Sequence, residues 1–210
     1  MNLMKYFLLR HEYPNRFING NVKFTPPFEK ESITGGYYRV GFPLDLAHRT
    51  ISVTMDSFYV RSLKVDFFLA SSSFFASEML ATLLKLYQSD LQIIPADVFY
   101  SNGKPTEKTY YLVHTDQHLP CFDYHNSEYS GKALALRRLE RGESPDSFMI
   151  NVAQSIAIDE EIAAGYNFFF LKNVMIIDPI VSEPLVNAMR EQKLKVHLGN
   201  VCTHPVTKQA

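Results

Sequence analysis

The stretch Ser77-Glu78-Met79-Leu80-Ala81-Thr82-Leu83-Leu84-Lys85-Leu86-Tyr87 decides the fold. Its apolar residues 79, 80, 83, 84 and 87 recur at i, i+1, i+4, i+5 and i+8, which predicts one face of a three-turn helix. Ser77 fits the N-cap, accepting a bond from an otherwise unpaired backbone N–H, and Glu78 in the first turn favours the positive end of the helix dipole. The pattern returns 105 residues later, half the chain, as Ser182-Glu183-x-Leu185-x-x-Ala188-Met189. Each copy follows an aromatic run, Phe67-Phe68-Leu69 or Phe168 to Leu171. Each precedes a strand with one polar residue in alternation, Leu91-Gln92-Ile93 or Val196-His197-Leu198. Any capped amphipathic helix shares so short a pattern. The common order of strand, capped helix and strand predicts more: two related β-α-β modules, at 65–100 and 166–201.

Working outward, Leu91 to Tyr100 and Tyr110 to Val113 read as strands around Ser101-Asn102-Gly103-Lys104. Asn-Gly tolerates the positive φ of a tight reversal, so a β-hairpin is expected, with Pro105 to Lys108 lengthening its loop. Gly131 to Arg141 predicts a short basic helix ended by Gly142 and Pro145; Phe148 to Val152, Ile156 to Ile158 and Val174 to Ile177 are further apolar runs, the first two read as strands. Upstream, Tyr6 to Leu9, Ile51 to Met55 and Val65 to Leu69 read as short strands. Pro14, Gly20, Pro26, Pro27, Gly35, Gly36, Gly41 and Pro43 punctuate the rest of the first third with turns. The reading is an α+β protein of short strands and hairpins in mixed or antiparallel sheet. Residues 1–64 form a turn-rich β region, and 65–210 hold the two modules, joined by a hairpin and a loop/helix segment, all in one compact unit.

Composition sets the outer bounds. With 46% hydrophobic and 20% charged residues in 210, the chain is an ordinary globular protein, not disordered, collagenous or coiled-coil. Lys and Arg number 21 against 22 Asp and Glu, so no net field draws it to nucleic acid or an anionic membrane. Cys121 and Cys202 are too few for a disulfide framework and read as thiols in a reducing cytosol, with one bridge left open. The N-terminus has an apolar run of four residues before Arg10 and no small-residue cleavage site, so no signal peptide is expected. No apolar stretch approaches the ~20 residues that span a bilayer. The aromatic content is the outlier: 16 Phe and 12 Tyr, no Trp.

Two runs of residues then point to a family. The first is Tyr110 to His114 leading through Cys121-Phe122-Asp123-Tyr124-His125-Asn126-Ser127-Glu128-Tyr129; the second is Ile158 to Ile162, Phe168 to Lys172, Ile180-Val181-Ser182-Glu183 and Lys193 to Val196. They resemble immunity protein family 11 of bacterial polymorphic toxin systems, whose strand leads to an Asp-x-x-x-Ser turn (here Asp123 and Ser127) and whose later order is Asp, Ile, Phe-x-Leu-Lys, Ile-Val-Ser-Glu, helix, terminal strand. The likeness covers roughly residues 65–201 and leaves 1–64 without a counterpart. Where the family puts arginine and glycine around the Phe-x-Leu-Lys segment, this chain has Phe170 and Asn173. The resemblance implies an α+β protein, encoded beside a secreted toxin, that binds the toxin in the cytoplasm and silences it without doing chemistry.

A binding protein of this kind needs well-desolvated anchors, and interfaces concentrate Tyr, Phe and Arg. Tyr37-Tyr38-Arg39, Phe58-Tyr59-x-Arg61 and Tyr124-His125-x-x-x-Tyr129 join rings to cations outside the helical stripes. The candidate toxin-binding residues are therefore Tyr37, Tyr38, Arg39, Tyr59, Arg61, Asp123, Tyr124, His125, Glu128 and Tyr129, against the alternative that the rings pack locally. No catalytic residue, metal or cofactor is expected, and homo-oligomerisation is left open. His114, His118, Cys121, Asp123 and His125 have ligand chemistry, but on a strand His114 and His118 would stand about 13 Å apart, too far to share an ion. The competing enzyme reading is a phosphatase-like hydrolase in which Arg10 holds a phosphate and His11 attacks it, with His197 as a second histidine. The glycine of the usual Arg-His-Gly-Glu pattern is missing, and a surface turn after a strand is the default reading of Arg10-His11-Glu12. Asp159-Glu160-Glu161 reads as a solvated turn, and Arg137-Arg138-x-x-Arg141 as a solvated helix face.

Overall fold

A computed structural model describes residues 4–13, 18–26, 49–56 and 62–204. In chain order its elements are β1 (Tyr6–Arg10), β2 (Gly20–Thr25), β3 (Thr50–Met55), β4 (Phe67–Ala70), β5 (Ser73–Ser77), α1 (Glu78–Tyr87), β6 (Gln92–Phe99), β7 (Tyr110–His114), β8 (His118–Leu119), β9 (Glu128–Tyr129), α2 (Lys132–Glu140), β10 (Ala153–Ser155), β11 (Ala157–Asp159), α3 (Glu160–Ala163), β12 (Phe168–Leu171), β13 (Ile180–Ser182), α4 (Glu183–Glu191), β14 (His197–Asn200) and β15 (Cys202–His204). The protein is α+β, with mixed and antiparallel sheets. It divides into two compact units: one of Arg10–Asp116 with Asn187–His197, the other of Met1–Leu9, Gln117–Val186 and Leu198–Ala210.

The first unit is built on a six-stranded sheet, β2-β3-β6-β7-β5-β4. β3 and β6 run parallel; the pairs β2–β3, β6–β7, β7–β5 and β5–β4 are antiparallel. β4 and β5 meet in a turn of Ser71 and Ser72, both at positive φ (44° and 64°), the twist a tight hairpin requires. The Ser71 hydroxyl accepts from Val22 N–H at 3.2 Å and donates to Gly20 C=O at 3.3 Å. The turn between β4 and β5 is thereby tied to the Gly20–Val22 stretch of edge strand β2. Phe24, Val53, Met55, Phe68, Phe75, Val98, Tyr110 and Leu112 fill the interior. The Asn102-Gly103 reversal forms as expected, with Gly103 at φ 79° and its N–H bonded to Tyr100 C=O at 2.9 Å.

α1 starts where the periodicity places it, yet Ser77 does not cap it. Its hydroxyl instead donates to Asp66 Oδ1 at 2.6 Å, a partner eleven residues upstream. The buried helix face is Leu80, Ala81 and Leu84; Met79, Leu83 and Tyr87 of the expected stripe stay exposed or half-buried.

In the second unit a five-stranded sheet runs β14-β1-β13-β12-β8. Its core gathers Tyr6, Leu8, Leu119, Phe122, Tyr129, Ile150, Ile158, Phe169, Leu171 and Ile180. β12 and β13 form an antiparallel pair that runs directly into α4, as β4 and β5 run into α1. Two expectations are corrected here. Phe148 to Val152 is not a strand: only Ile150 pairs, as an isolated bridge to Val174, and β10 begins at Ala153. Asp159 is the N-cap of α3, not part of a solvated turn, its carboxylate accepting from the N–H groups of Glu161 and Ile162.

Candidate functional site

The segment from Cys121 to Tyr129 is organised by its own polar side chains. Asp123 Oδ1 accepts the backbone N–H groups of His125 and Asn126, both at 3.0 Å, while Oδ2 accepts Asn126 Nδ2 at 2.6 Å. Burial pushes the Asp123 carboxyl up, but these donors outweigh it and hold the group below its ordinary value. Four residues on, the fully buried Ser127 hydroxyl accepts Ala157 N–H at 2.9 Å and donates to Ala157 C=O at 3.1 Å. Asp123 N–H donates to the same carbonyl at 2.9 Å. The Asp-x-x-x-Ser pattern is thus a clasp: Asp folds the loop and Ser ties it to β11.

Around this clasp the rings of Phe122, Tyr124, Tyr129 and Phe148 meet edge to face, with centroids 5.1 to 6.2 Å apart. Arg138, near the end of α2, lies 4.4 Å over the Phe148 ring and bonds Glu143 Oε2 at 2.7 Å and Ser147 Oγ at 3.1 Å. Tyr129 is 6% exposed, and its hydroxyl finds no hydrogen-bond partner among the described residues. Asp146 is held by Lys172 Nζ at 2.8 Å and Asn173 Nδ2 at 2.7 Å, which lower its carboxyl below the usual range. Asn173 takes φ 62°. After glycine, asparagine is among the side chains that best tolerate that left-handed backbone.

Of the ten candidate contact residues, Tyr37, Tyr38, Arg39, Tyr59 and Arg61 lie outside the described residues. The other five are brought onto one loop with different duties. Asp123 is spent on the turn and Tyr129 is in the core; His125 and Glu128 are exposed, Glu128 pairing with Lys132 at 2.9 Å, and Tyr124 is half-buried. Sequence reasoning missed Arg138 and Phe148 as members of this cluster. The basic run Arg137-Arg138 was visible, but not that one guanidinium turns inward.

The ligand-like residues separate. His114 ends β7 in one unit; in the other, His118 stacks on Phe170 at 5.3 Å, Cys121 is buried with its thiol pushed up to about 12 by burial, and His125 faces solvent. Among the described residues no group of three or more His, Cys, Asp or Glu could hold a metal ion. Cys121 and Cys202 are free thiols. At the Arg10-His11-Glu12 turn, His197 Nδ1 lies 2.5 Å from Glu12 C=O and its ring is tilted on Tyr13 at 6.0 Å, so that histidine is occupied by the backbone of the turn.

On this α+β scaffold the polar motif residues fold a loop and the rings pack together around it. The chain belongs to the immunity protein family Imm11: the model of the Immunity protein family (Imm11) matches residues 29–197, about four-fifths of the sequence. The match extends the likeness upstream of residue 65, so residues 29–64, which the motifs left without a counterpart, belong to the family region as well. None of the curated proteins matches the chain.

Proposed function

We propose that the protein is an immunity protein that binds a cognate toxin domain of a polymorphic system in the cytoplasm and silences it by forming a one-to-one complex. Membership of the Imm11 family carries this reading. Because a single free toxin enzyme turns over repeatedly, protection requires nanomolar affinity or better, about 12 kcal/mol. A standard interface hides ~800 Å² per partner, which a chain with 12165 Å² of surface can supply on almost any face. With 21 basic and 22 acidic residues, bulk charge contributes little to recognition, and local pairs and shape set specificity. The loop carrying Tyr124, His125 and Glu128 supplies exposed groups on a rigid base, and Tyr37, Tyr38, Arg39, Tyr59 and Arg61 remain proposed contacts. No helix among the described residues is long and apolar enough to cross a membrane.

The test is to look beside this gene for a large protein with a variable C-terminal domain, as the reading expects, and to co-express that domain with the chain. Growth is expected to be restored, and light scattering of the purified mixture is expected to show one copy of each. Growth that stays arrested although both proteins accumulate overturns the reading.

A further inference from the structure

The second unit is acidic as a whole, with ten Asp and Glu against seven Lys and Arg, yet four of those seven cations, Lys132, Arg137, Arg138 and Arg141, stand on α2 or at its C-terminal end. Two of the four are spent inside the unit. Lys132 Nζ meets Glu128 Oε1 at 2.9 Å, and Arg138 meets Glu143 Oε2 at 2.7 Å while lying over the Phe148 ring. Arg137 and Arg141 are exposed and pair with no carboxylate among the described residues; Arg137 folds its Nε back onto Ala133 C=O at 3.2 Å. Leu134, 60% exposed, precedes them by three and seven residues, so the three side chains share one strip of the helix. The opposite side is held down by buried Ala135 and by the Arg138 contacts, which present the strip on a fixed base. The helix dipole favours cations in the last turn whichever way they face, but it does not place an exposed leucine in line with two uncompensated guanidiniums.

We propose that the strip of Leu134, Arg137 and Arg141 docks an acidic patch of the toxin domain, an inference that rests on the immunity reading above. The sign of the charge selects the occupant. Two guanidiniums one turn apart offer planar N–H forks that carboxylates accept bidentately, and arginine sheds its water for such contacts more readily than lysine. Leu134 takes an apolar group beside those carboxylates, which a protein surface supplies and a phosphate backbone does not. A nucleic acid is further disfavoured because a polyanion meets the acidic unit as a whole. One or two carboxylates docked on α2 meet mainly the arginines within the ~8 Å that charge reaches at physiological salt. Symmetry disfavours a second copy: a two-fold pair through this strip gathers four guanidiniums around two carboxylates of Glu140, the exposed residue at its margin, and leaves a surplus of like charge.

Titration calorimetry of the full chain against a form of that toxin domain that no longer arrests growth tests this. Arg137→Glu combined with Arg141→Glu is expected to keep the wild-type circular dichroism and to weaken binding about a hundredfold. Arg137→Gln with Arg141→Gln, which removes the charge without reversing it, should weaken binding about tenfold and gives the same reading if the reversed pair misfolds. Wild-type binding should weaken as sodium chloride rises from about 0.05 to 0.5 M, and the Gln pair should lose most of that dependence. Lys85→Glu on α1 should stay within about twofold of wild type; a loss as large as the Arg137→Glu/Arg141→Glu pair's would make the effect one of net charge and overturn the strip. If both arginine pairs bind within about twofold of wild type, the strip is not the site, although the immunity reading stands. If the wild-type chain does not bind the domain, the immunity reading fails and this one falls with it. A single-stranded oligonucleotide that binds the wild type but not the Gln pair in fluorescence anisotropy, or a self-associated form in sedimentation that the Gln pair dissolves, would give the strip to another occupant and overturn the partner assigned here.

Discussion

Two hairpins in this molecule, β4–β5 and β12–β13, enter their helices by the same set of bonds. Ser77 N–H donates to Asp66 C=O at 2.9 Å, and Ser182 N–H donates to Asn167 C=O at 3.2 Å. The serine hydroxyls go to the side chains of those same residues, Asp66 Oδ1 at 2.6 Å and Asn167 Oδ1 at 2.5 Å. Glu78 N–H donates to Thr109 C=O and Glu183 N–H to Lys5 C=O, at 3.1 and 2.8 Å. Opposite each serine stands a buried tyrosine, Tyr110 or Tyr6, whose ring meets Phe68 or Phe169 edge on. The difference lies in the polar anchor. Asp66 is a buried carboxylate that also accepts Lys108 Nζ at 2.5 Å and Lys195 N–H at 2.6 Å. Asn167 is neutral, so the same backbone junction is held once by a carboxylate and once by an amide. The comparison teaches that the junction needs an acceptor for the serine, and that the charge at Asp66 serves to recruit further segments.

The largest effect should come from removing that charge. Asp66→Ala leaves Ser77 and Lys195 N–H without their acceptor and Lys108 without its counter-ion. Because Lys108 is 33% exposed, the cost belongs at the lower end for a broken buried pair, about 3 kcal/mol of unfolding free energy in urea. Asn167→Ala removes one acceptor of a buried hydroxyl and should cost less, about 1–2 kcal/mol. If the Asn167 variant proves the more damaging, charge is not what separates the two junctions.

Much of the framework was legible because local pattern and tertiary packing agree there: β1, β3, β6, β7, α1, α2, β12 and α4 all fall on runs whose period names them. The failures are non-local. Ser77 has every local mark of a cap, but its hydroxyl is claimed by Asp66 across the hairpin, and no window around α1 contains that residue. Phe148 to Met149 looks like the start of a strand, yet beyond the single Ile150–Val174 bridge a strand begins only where β9 supplies a partner, at Ala153. At the candidate site the Asp123–Ser127 pattern was visible as a motif. Its role as a clasp was not, because the other half of the clasp is Ala157, thirty residues away. For the same reason the aromatic excess reads as surface in sequence and proves, around Tyr129, to be interior: burial is set by the β9–β10 pairing, not by the ring.

The tyrosines sharpen the comparison further. Tyr6 donates to Ala163 C=O at 2.8 Å, and Tyr110 donates to Val65 C=O at 2.8 Å. Removing either hydroxyl, as in Tyr6→Phe or Tyr110→Phe, takes one hydrogen bond from a buried carbonyl and should cost about 1 kcal/mol in each unit alike. Burial raises both phenols, Tyr6 from 10.0 to about 12 and Tyr110 further still. A group whose folded pKa lies above its unfolded value stabilises fully below the unfolded one. That contribution should therefore be intact up to pH 10 and disappear as pH rises through about 12. Absorbance at alkaline pH is expected to show exposed phenols titrating first, and these two only as the chain unfolds. Early ionisation of Tyr6 without unfolding would show that its unit opens more readily than the common junction implies.

The smallest effect is expected at Tyr129, and it isolates what the hydroxyl does at the other two. Its ring is as thoroughly packed, touching Phe122 and Tyr124, and burial raises its phenol to about 12 as it does for Tyr6. What it lacks is an acceptor among the described residues. A buried hydroxyl with no partner contributes desolvation and no bond, so deleting it leaves nothing unsatisfied behind. Tyr129→Phe should therefore change unfolding free energy by no more than about 0.5 kcal/mol, and in the stabilising direction, while the ring contacts persist. The comparison to make is with Tyr6→Phe in the same background and buffer. If Tyr129→Phe costs as much as Tyr6→Phe, the Tyr129 hydroxyl has a bonding partner in solution, and packing alone would no longer account for its place in the cluster.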